Sequence, residues 1–301
     1  MNLAADVLAV LALAVFSPFT LSAERRVKAW IQGRRGPGLL QPYRDLRRLL
    51  VKRPLAPDTA TPLWVWAPLA GAAAVVAAAF VLPLADAHGG LGGSGGFLVL
   101  GLLLAFQRFM LVAHGHDTAT AFGGLGASRE LFLGGLAEPA LLLVAGGVAI
   151  ITGSLAVPAE PLSLAEPATW LLAGALIALW ITESARIPFD NPATHLELTM
   201  VHEAMVLEAN GWVLAVQEAT AALKQTILAA LLVVLLAPLP PTGATRVVIV
   251  IGVAVAASAV LAVLESLTAK ARLFRAAHFL VAAAFLAFLG STVALLGGPG
   301  A

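Results

Sequence analysis

The chain has 301 residues, of which 60% are hydrophobic and 12% are charged, and its mean hydropathy of +0.93 excludes an ordinary soluble domain. A formal net charge of only +1 gives no indication of a nucleic-acid partner. Because cysteine is absent, this chain cannot form disulfides, thiolate zinc sites or cysteine-ligated iron–sulfur clusters. We therefore expect any electron-carrying metal centre to lie in another subunit.

Apolar runs of roughly 20 residues, long enough to cross about 30 Å of hydrocarbon, divide the chain into eight predicted transmembrane helices within one membrane domain, residues 1–301. The predicted spans are about 3–22, 63–84, 97–114, 131–152, 168–184, 213–237, 246–264 and 277–297. The first span carries Asp6 where a secretory leader is basic, and its cationic cluster follows the apolar run, so we interpret it as a retained helix. The sequence therefore predicts an all-α integral membrane protein.

The lysines and arginines predict the orientation of these spans. Fifteen of the 18 lie in the connections after spans 1, 3, 5 and 7, and ten of these fall within residues 23–62. Of the other three, Arg108 and Lys224 lie inside spans and Arg246 lies at the opposite face. This bias predicts that the four basic connections are cytoplasmic and that both termini are outside.

The first connection contains a pattern typical of a helix along the membrane surface. In QPYRDLRRLLVKRP, the apolar residues Tyr43, Leu46, Leu49 and Leu50 recur at helical spacing among basic residues, and Pro42 suits a first helical turn. The basic residues of this amphipathic helix suit lipid headgroups as well as they suit a docked protein.

Ionisable residues within spans cost a few kcal/mol or more unless they have a partner or water, so they are functional candidates. These residues and the acids of the third connection concentrate at one depth near the cytoplasmic side. The set comprises Glu130, Glu138, Glu183, Glu218, Lys224 and Glu265, together with Asp190, Glu197, Glu203 and Glu208. Glu130 and Glu138 lie about 80° apart around a helix and roughly 12 Å apart along it, so they can border one cavity. Lys224 needs an acid on another helix, or it is neutral.

The third connection is predicted to be partly helical. Asn191 followed by Pro192 indicates a helix start, which places Glu197 and Glu208 on one face and His195, Thr199 and His202 on another. For Glu130, Glu208 and Glu265, which lie near span ends, a structural ion pair or a helix-end carboxylate explains the residue equally well.

Several other chemistries are disfavoured. HEAMV at 202–206 has Val206 where a zinc-protease motif needs a second histidine, and HGHD at 114–117 lacks a spaced third ligand. No Ser–His–Asp order or nucleotide-binding fingerprint is present. We therefore predict that this chain has no catalytic residue, no metal ligand and no cofactor of its own.

Two stretches resemble a known family. ERRVKAWIQGRRGPGLLQPYRDLRRLLVK at 24–52 and ARIPFDNPATHLELTMVHEAMVLE at 185–208 are similar to signatures of the membrane subunit shared by respiratory complex I, where it is subunit 1 or H, and by complex I-like membrane-bound hydrogenases. Gly36-Pro37-Gly38 runs directly into Leu39, where complex I usually carries additional residues, and TMVHEAMVLE resembles the formate hydrogenlyase and hydrogenase-4 subunits. Both features weigh against a quinone site.

The resemblance implies a membrane subunit of a group 4 [NiFe]-hydrogenase in a bacterial or archaeal cytoplasmic (inner) membrane. The NiFe centre and iron–sulfur clusters would lie in soluble large and small subunits docked on the cytoplasmic loops, and antiporter-like membrane subunits would be further partners. It implies a proton relay, to which we add Lys224, through Glu130, Glu138, Glu183, Glu197, Glu203, Glu208 and Glu218. It assigns the docking face and cavity mouth to Arg25, Arg34, Arg35, Arg186 and Asp190, beside which we place His195 and His202.

Three alternatives stay open at this stage. They are a quinone-site subunit of a respiratory NADH dehydrogenase, a stand-alone ion transporter, and an inert structural anchor. The transporter is disfavoured because no inverted repeat is evident. The sequence does not distinguish H⁺ from Na⁺ as coupling ion, or formate, ferredoxin and carbon monoxide as electron donors.

Overall fold

The computed structural model describes residues 3–85, 93, 95–184, 201–267 and 273–297, and ten α-helices lie in these ranges. They are α1 Leu3–Ile31, α2 Gln41–Val51, α3 Leu63–Val81, α4 Gly96–Asp117, α5 Ala121–Thr152, α6 Pro167–Glu183, α7 His202–Val206, α8 Gly211–Leu236, α9 Ala244–Leu267 and α10 Leu273–Gly297. No β-strand forms in the described ranges, in agreement with the all-α prediction.

Seven helices are long and apolar enough to cross a membrane: α1, α3, α4, α5, α8, α9 and residues 276–297 of α10. Helix α6 occupies the fifth predicted span, about 168–184, but has only 17 residues. At about 1.5 Å per residue it is roughly 26 Å long, slightly less than the hydrocarbon thickness of about 30 Å. The multi-pass membrane fold is thus confirmed, and the crossing by α6 stays a prediction.

Two helices extend well beyond the predicted spans. Helix α1 continues to Ile31, nine residues past the predicted end, because its polar last turns find partners: Glu24 contacts Gln225 of α8, and Lys28 contacts Glu265 of α9. Helix α5 begins at Ala121, ten residues before the predicted start, where the Thr120 side chain accepts a hydrogen bond from the N–H of Gly123 at 3.1 Å. Glycine and charged residues lower the hydropathy of this first part of α5 without interrupting its backbone hydrogen bonds.

The predicted amphipathic helix in the first connection is α2, which packs against α1 and α8. The Tyr43 hydroxyl donates to the carbonyl of Val15, in the middle of α1, at 2.6 Å. Burial raises the pKa of the Tyr43 phenol, so the group remains a neutral donor. Tyr43, Leu46 and Leu49 are partly buried on this side, whereas Leu50 is exposed. Helix α2 therefore lies against the bundle instead of being attached only to lipid.

Helix α8 is the most buried of the long helices and contacts α1, α2, α3, α6 and α9. Around it, α3 packs on α4, α1 packs on α9, and α10 packs on both α5 and α6. Small residues allow close approach: a Cβ atom at Gly147 of α5 or at Gly290 of α10 would lie within 3.0 Å of a Leu172 methyl carbon on α6. Although α9 and α10 are consecutive in the chain, α9 packs with α1 and α8, whereas α10 packs with α5 and α6.

The end of the bundle that carries connections 82–85, 153–166 and 237–243 is held together by Arg246, which is 1% exposed. Its Nε donates to the carbonyl of Pro83 at 2.9 Å, Nη1 to that of Pro240 at 2.9 Å and Nη2 to that of Ala159 at 3.2 Å. One guanidinium thereby joins all three connections. The other end, which carries 32–62, 118–120 and 201–210, is called the basic end below.

Replacing Arg246 with Met should destabilise the protein, because three buried carbonyls lose their donor and each unpaired group costs about 1–3 kcal/mol. We expect the apparent Tm of the purified protein in detergent to fall by roughly 5 °C or more. Val248→Met, at a position of the same helix that is 69% exposed, is the matched control and should leave the Tm unchanged. Equal Tm values for the two variants would contradict the structural role of Arg246.

Candidate functional site

One buried arginine, Arg108, binds carboxylates from two neighbouring helices. Arg108 of α4 is 5% exposed. Its Nε donates to Glu130 Oε1 at 3.1 Å, its Nη1 donates to Glu138 Oε1 at 2.9 Å, and its Nη2 contacts Glu183. Glu130 and Glu138 belong to α5 and Glu183 to α6, so one side chain joins three helices. Pairing on this scale is expected because an uncompensated buried charge is strongly destabilising.

Lys224 of α8 is the second cation of the group. Its Nζ lies 2.6 Å from Glu183, and both side chains are 8% exposed. The sequence required an acid on another helix for Lys224, and Glu183 is that acid. Arg108, Lys224, Glu130, Glu138 and Glu183 are called the charge cluster below. Two cations and three carboxylates give it a formal charge of −1 when all five are ionised.

Gly134 of α5 makes room for the guanidinium. A Cβ atom at this position would lie 2.7 Å from Arg108 Cδ and 2.8 Å from Nη1. Arg108 cannot swing aside easily, because its three nitrogens are already engaged by carboxylates. Any residue other than glycine at 134 would therefore displace the arginine from the cluster.

One stripe of α5 carries most of this geometry. Gly126, Glu130, Gly134 and Glu138 follow one another at intervals of four residues, which places them along one slowly drifting face of the helix. The glutamates supply charge, and the glycines allow other parts of the chain to approach closely. This Gly-x₃-Glu-x₃-Gly-x₃-Glu spacing is a sequence signal for the site that goes beyond the two glutamates alone.

The charge cluster borders a polar cavity of about 140 Å³. Its lining includes Glu130, Glu183, Glu203, Glu218, Lys224 and His202. Gln217 lines it with both side-chain polar atoms buried and without a hydrogen-bond partner among the described residues, and the same holds for Gln107 Oε1. Buried polar atoms of this kind are usually satisfied by ordered water, so the cavity is built to be hydrated.

A second cavity of about 200 Å³ lies between α1, α2 and α8. Leu46 and Leu49 of α2 form one wall, and Pro18 of α1 lies opposite. Arg25 and Glu218 line both cavities. The two spaces therefore adjoin at these residues.

The structure brings eight of the predicted site residues together. Glu130, Glu138, Glu183 and Lys224 form the charge cluster with Arg108, while Glu203, Glu218, His202 and Arg25 line the polar cavity. Glu208 is partly buried but does not line it, and Arg34 and Arg35 are exposed at the basic end. Arg186, Asp190, His195 and Glu197, with the predicted helix start at Asn191, lie outside the described residues. In the described part of the third connection, α7 covers only His202–Val206. Glu208 therefore lies outside the helix that contains His202.

Sequence reasoning missed the central residue of the cluster. The sequence identifies Arg108 only as a cation inside a span, although a charge within a span requires partners, and the nearby acids on other spans are candidates for that role. Glu24, at the start of the first motif, is 1% exposed and contacts Gln225, which lines the polar cavity. Neither contact can be derived from spacing, because the partners lie on different helices.

His114 and Asp117 of HGHD have structural contacts. His114 is fully buried, its Nδ1 lies 3.0 Å from the carbonyl oxygen of Trp64, and the two rings stack at 5.9 Å. Asp117 accepts hydrogen bonds from the backbone and the hydroxyl of Thr61. Among the described residues, no three potential ligands are grouped as a metal site would require.

Comparison with known proteins identifies the family. The sequence profile described as NADH dehydrogenase matches residues 4–296. Hydrogenase-4 component C of Escherichia coli strain K12 is 34% identical over 233 residues, which are 75% of this chain and 72% of that protein. Formate hydrogenlyase subunit 4 of the same strain is 33% identical over 195 residues, 62% of this chain and 63% of that protein. NADH-ubiquinone oxidoreductase chain 1 of Arabidopsis thaliana is 32% identical over 214 residues, 63% of this chain and 62% of that protein.

The fold is shared with a solved membrane complex. A chain in the structure of the membrane-bound sulfane sulfur reductase, an archaeal respiratory membrane complex, superposes with a TM-score of 0.82 at 18% sequence identity. The superposition covers 97% of this chain and 99% of that chain. The resemblance inferred from residues 24–52 and 185–208 is thereby confirmed. The chain belongs to the NADH dehydrogenase subunit 1 family, as a membrane oxidoreductase-complex subunit related to hydrogenase-4 component C and formate hydrogenlyase subunit 4.

Proposed function

We propose that this chain is the membrane-anchor and coupling subunit of a complex I-like membrane-bound [NiFe]-hydrogenase of the formate hydrogenlyase type. The charge cluster beside a hydrated cavity is the observation that carries the proposal. An inert anchor gains nothing from burying three carboxylates and two cations together, since well-packed apolar residues would stabilise the bundle at least as well. Relatives named hydrogenase-4 component C and formate hydrogenlyase subunit 4 support the choice of complex.

In this proposal the soluble large and small hydrogenase subunits dock on the basic end, which faces the cytoplasm of a bacterial or archaeal cell. Arg34 and Arg35 are exposed there and suit an acidic partner surface. The NiFe centre and iron–sulfur clusters belong to those partners. Glu138, whose side chain is 43% exposed, extends the charge cluster to the surface of the bundle. An antiporter-like membrane subunit packed there would receive the proton or the charge signal.

The relay follows from charge balance. A redox change in the docked arm alters the charge near Glu203 and His202, which line the cavity together with Glu130 and Glu183. Neighbouring carboxylates titrate as one coupled set, because the ionisation of one disfavours that of the next. A proton that enters the cluster neutralises its formal charge of −1 and releases one carboxylate from Arg108 or Lys224. The cluster therefore has two charge arrangements, which a partner can select between.

Replacing Glu183 with Gln should uncouple the complex. The amide cannot carry the proton, and it leaves Arg108 and Lys224 with one anion fewer, so we expect ion uptake per H₂ to fall at least about tenfold. Hydrogen evolution from an artificial electron carrier should be unchanged. Both are measured on the whole complex in proteoliposomes, with Glu160→Gln, at an exposed acid of the opposite end, as control. Normal ion uptake by the Glu183→Gln complex would refute the relay.

Two adjacent glycines test the placement of Arg108. Gly134→Ala should displace the guanidinium and lower ion uptake per H₂ by roughly tenfold, since small displacements of positioned groups carry costs of this order. At Gly135 an added Cβ meets no atom within 4 Å. Gly135→Ala should therefore leave coupling intact and stabilise α5 by up to about 1 kcal/mol. If the two variants couple equally, Arg108 has no role in ion movement.

A second candidate function is the quinone-site subunit of a respiratory NADH dehydrogenase. The second cavity, between α1, α2 and α8, favours it, as does the 32% identical relative named NADH-ubiquinone oxidoreductase chain 1. The short connection after Gly36 weighs against it.

Quinone-site inhibitors distinguish the two functions. For a hydrogenase subunit we expect turnover of the purified complex to be insensitive to them. If they do inhibit, Leu46→Trp, which fills the second cavity, should abolish the inhibition while artificial-carrier activity persists. That pair of results would establish the quinone function in place of the one proposed here.

A further inference from the structure

Residues 201–211 comprise α7 and the turn into α8 and are called the bridge below. One side of the bridge packs against two glycines, Gly115 of α4 and Gly126 of α5. Met205 is 1% exposed and Ala204 is 2% exposed. A Cβ atom at Gly126 of α5 would lie 2.8 Å from the Val201 carbonyl oxygen and 2.9 Å from Ala204 Cβ. A Cβ at Gly115 of α4 would lie 3.1 Å from Met205 Cγ. The bridge thus contacts the backbone of α4 and α5 directly, with no intervening side chain.

The other side of the bridge is attached to the first connection. The Asn210 side chain accepts from the N–H of Leu55 at 2.7 Å and donates to its carbonyl at 2.8 Å. Gly211 has a φ of +58°, and a Cβ there would lie 2.7 Å from the carbonyl oxygen of Lys52. Residues 52–55 are therefore held by the Asn210 side chain and by the close backbone approach of Gly211.

His202 and Glu203 lie within the bridge and line the polar cavity. Val201 and Ala204, on either side of them in the chain, pack against Gly126, which precedes Glu130 by one turn on the same face of α5. Backbone contacts and a two-way hydrogen bond leave little freedom for side-chain rotation to absorb a displacement. A shift of residues 52–55 would consequently be passed along the bridge to Glu203.

We propose that the bridge is a positioning element, in which Met205 and Asn210 are positioning residues that hold Glu203 against the cavity and link its position to residues 52–55 of the basic end, on which the soluble arm is proposed to dock. The inference rests on the proposed function, because it assigns a task within the relay. It also specifies how docking or rearrangement of the soluble arm would change the position of Glu203 at the cavity.

The test uses the whole complex with two disrupting variants and one matched control. Asn210→Ala removes both hydrogen bonds to Leu55, and Gly126→Ala forces Val201 and Ala204 away from α5. Gly124→Ala, two residues earlier in the same helix, meets no atom within 4 Å and is the control. Amide hydrogen exchange of the peptide covering 201–211 should accelerate in the first two variants only. Ion uptake per H₂ should fall about tenfold in both and remain normal in the control.

A double-mutant cycle separates positioning from general destabilisation. If Asn210 acts through Glu203, then adding Asn210→Ala to Glu203→Gln should lower ion uptake no further than Glu203→Gln alone. A merely structural role predicts additive losses, and additivity would overturn the proposal. Asn210→Asp keeps the acceptor for the Leu55 N–H and should lose less coupling, which supplies a milder variant if Asn210→Ala prevents assembly.

The outcomes also separate the bridge from the relay. Normal ion uptake in Asn210→Ala and Gly126→Ala, together with reduced uptake in Glu203→Gln and Glu183→Gln, would refute the bridge and leave the relay intact. Normal uptake in all four variants would refute the relay and, with it, the role of the bridge.

Discussion

The burial of Arg108 is the constraint on which the rest of the site depends. A guanidinium buried in an apolar bundle is tolerated only if hydrogen-bond acceptors surround it, and for Arg108 these include carboxylates from α5 and α6. Glu183 must in turn be shared with Lys224 of α8. These contacts fix the rotation of α4, α5, α6 and α8 about their axes. Gly134 is required because a Cβ atom there would overlap the Arg108 side chain.

Buried cations have different partners towards the two ends of the bundle. At one end, Arg246 is satisfied by three backbone carbonyls, so it fixes the connections without offering a titratable partner among these contacts. Towards the basic end, cations meet carboxylates beside a cavity with unpartnered glutamine atoms among the described residues. These contacts of Arg246 are to backbone carbonyls, whereas the second arrangement contains ionisable carboxylates, as the proposed relay requires.

Helix α5 combines structural and chemical roles because glycine and glutamate alternate along one stripe. Gly126 accommodates the bridge, Glu130 lines the cavity, Gly134 accommodates Arg108, and Glu138 carries the cluster towards the surface. Close backbone approach and charge placement therefore lie on the same face of one helix.

The sequence by itself determined the membrane class, the approximate spans, the amphipathic helix beginning near Pro42 and the need of Lys224 for an acid on another helix. Hydropathy and helical periodicity report the composition of each segment and the face of each residue, and these properties are local. Only the tertiary structure decided that Arg108 is the common partner of Glu130, Glu138 and Glu183, that α1 and α5 continue through polar sequence, and that residues 201–211 are held at both sides. Each of these depends on how separate helices rotate and pack against one another, because a buried charge selects its partner by proximity in space and not by distance along the chain.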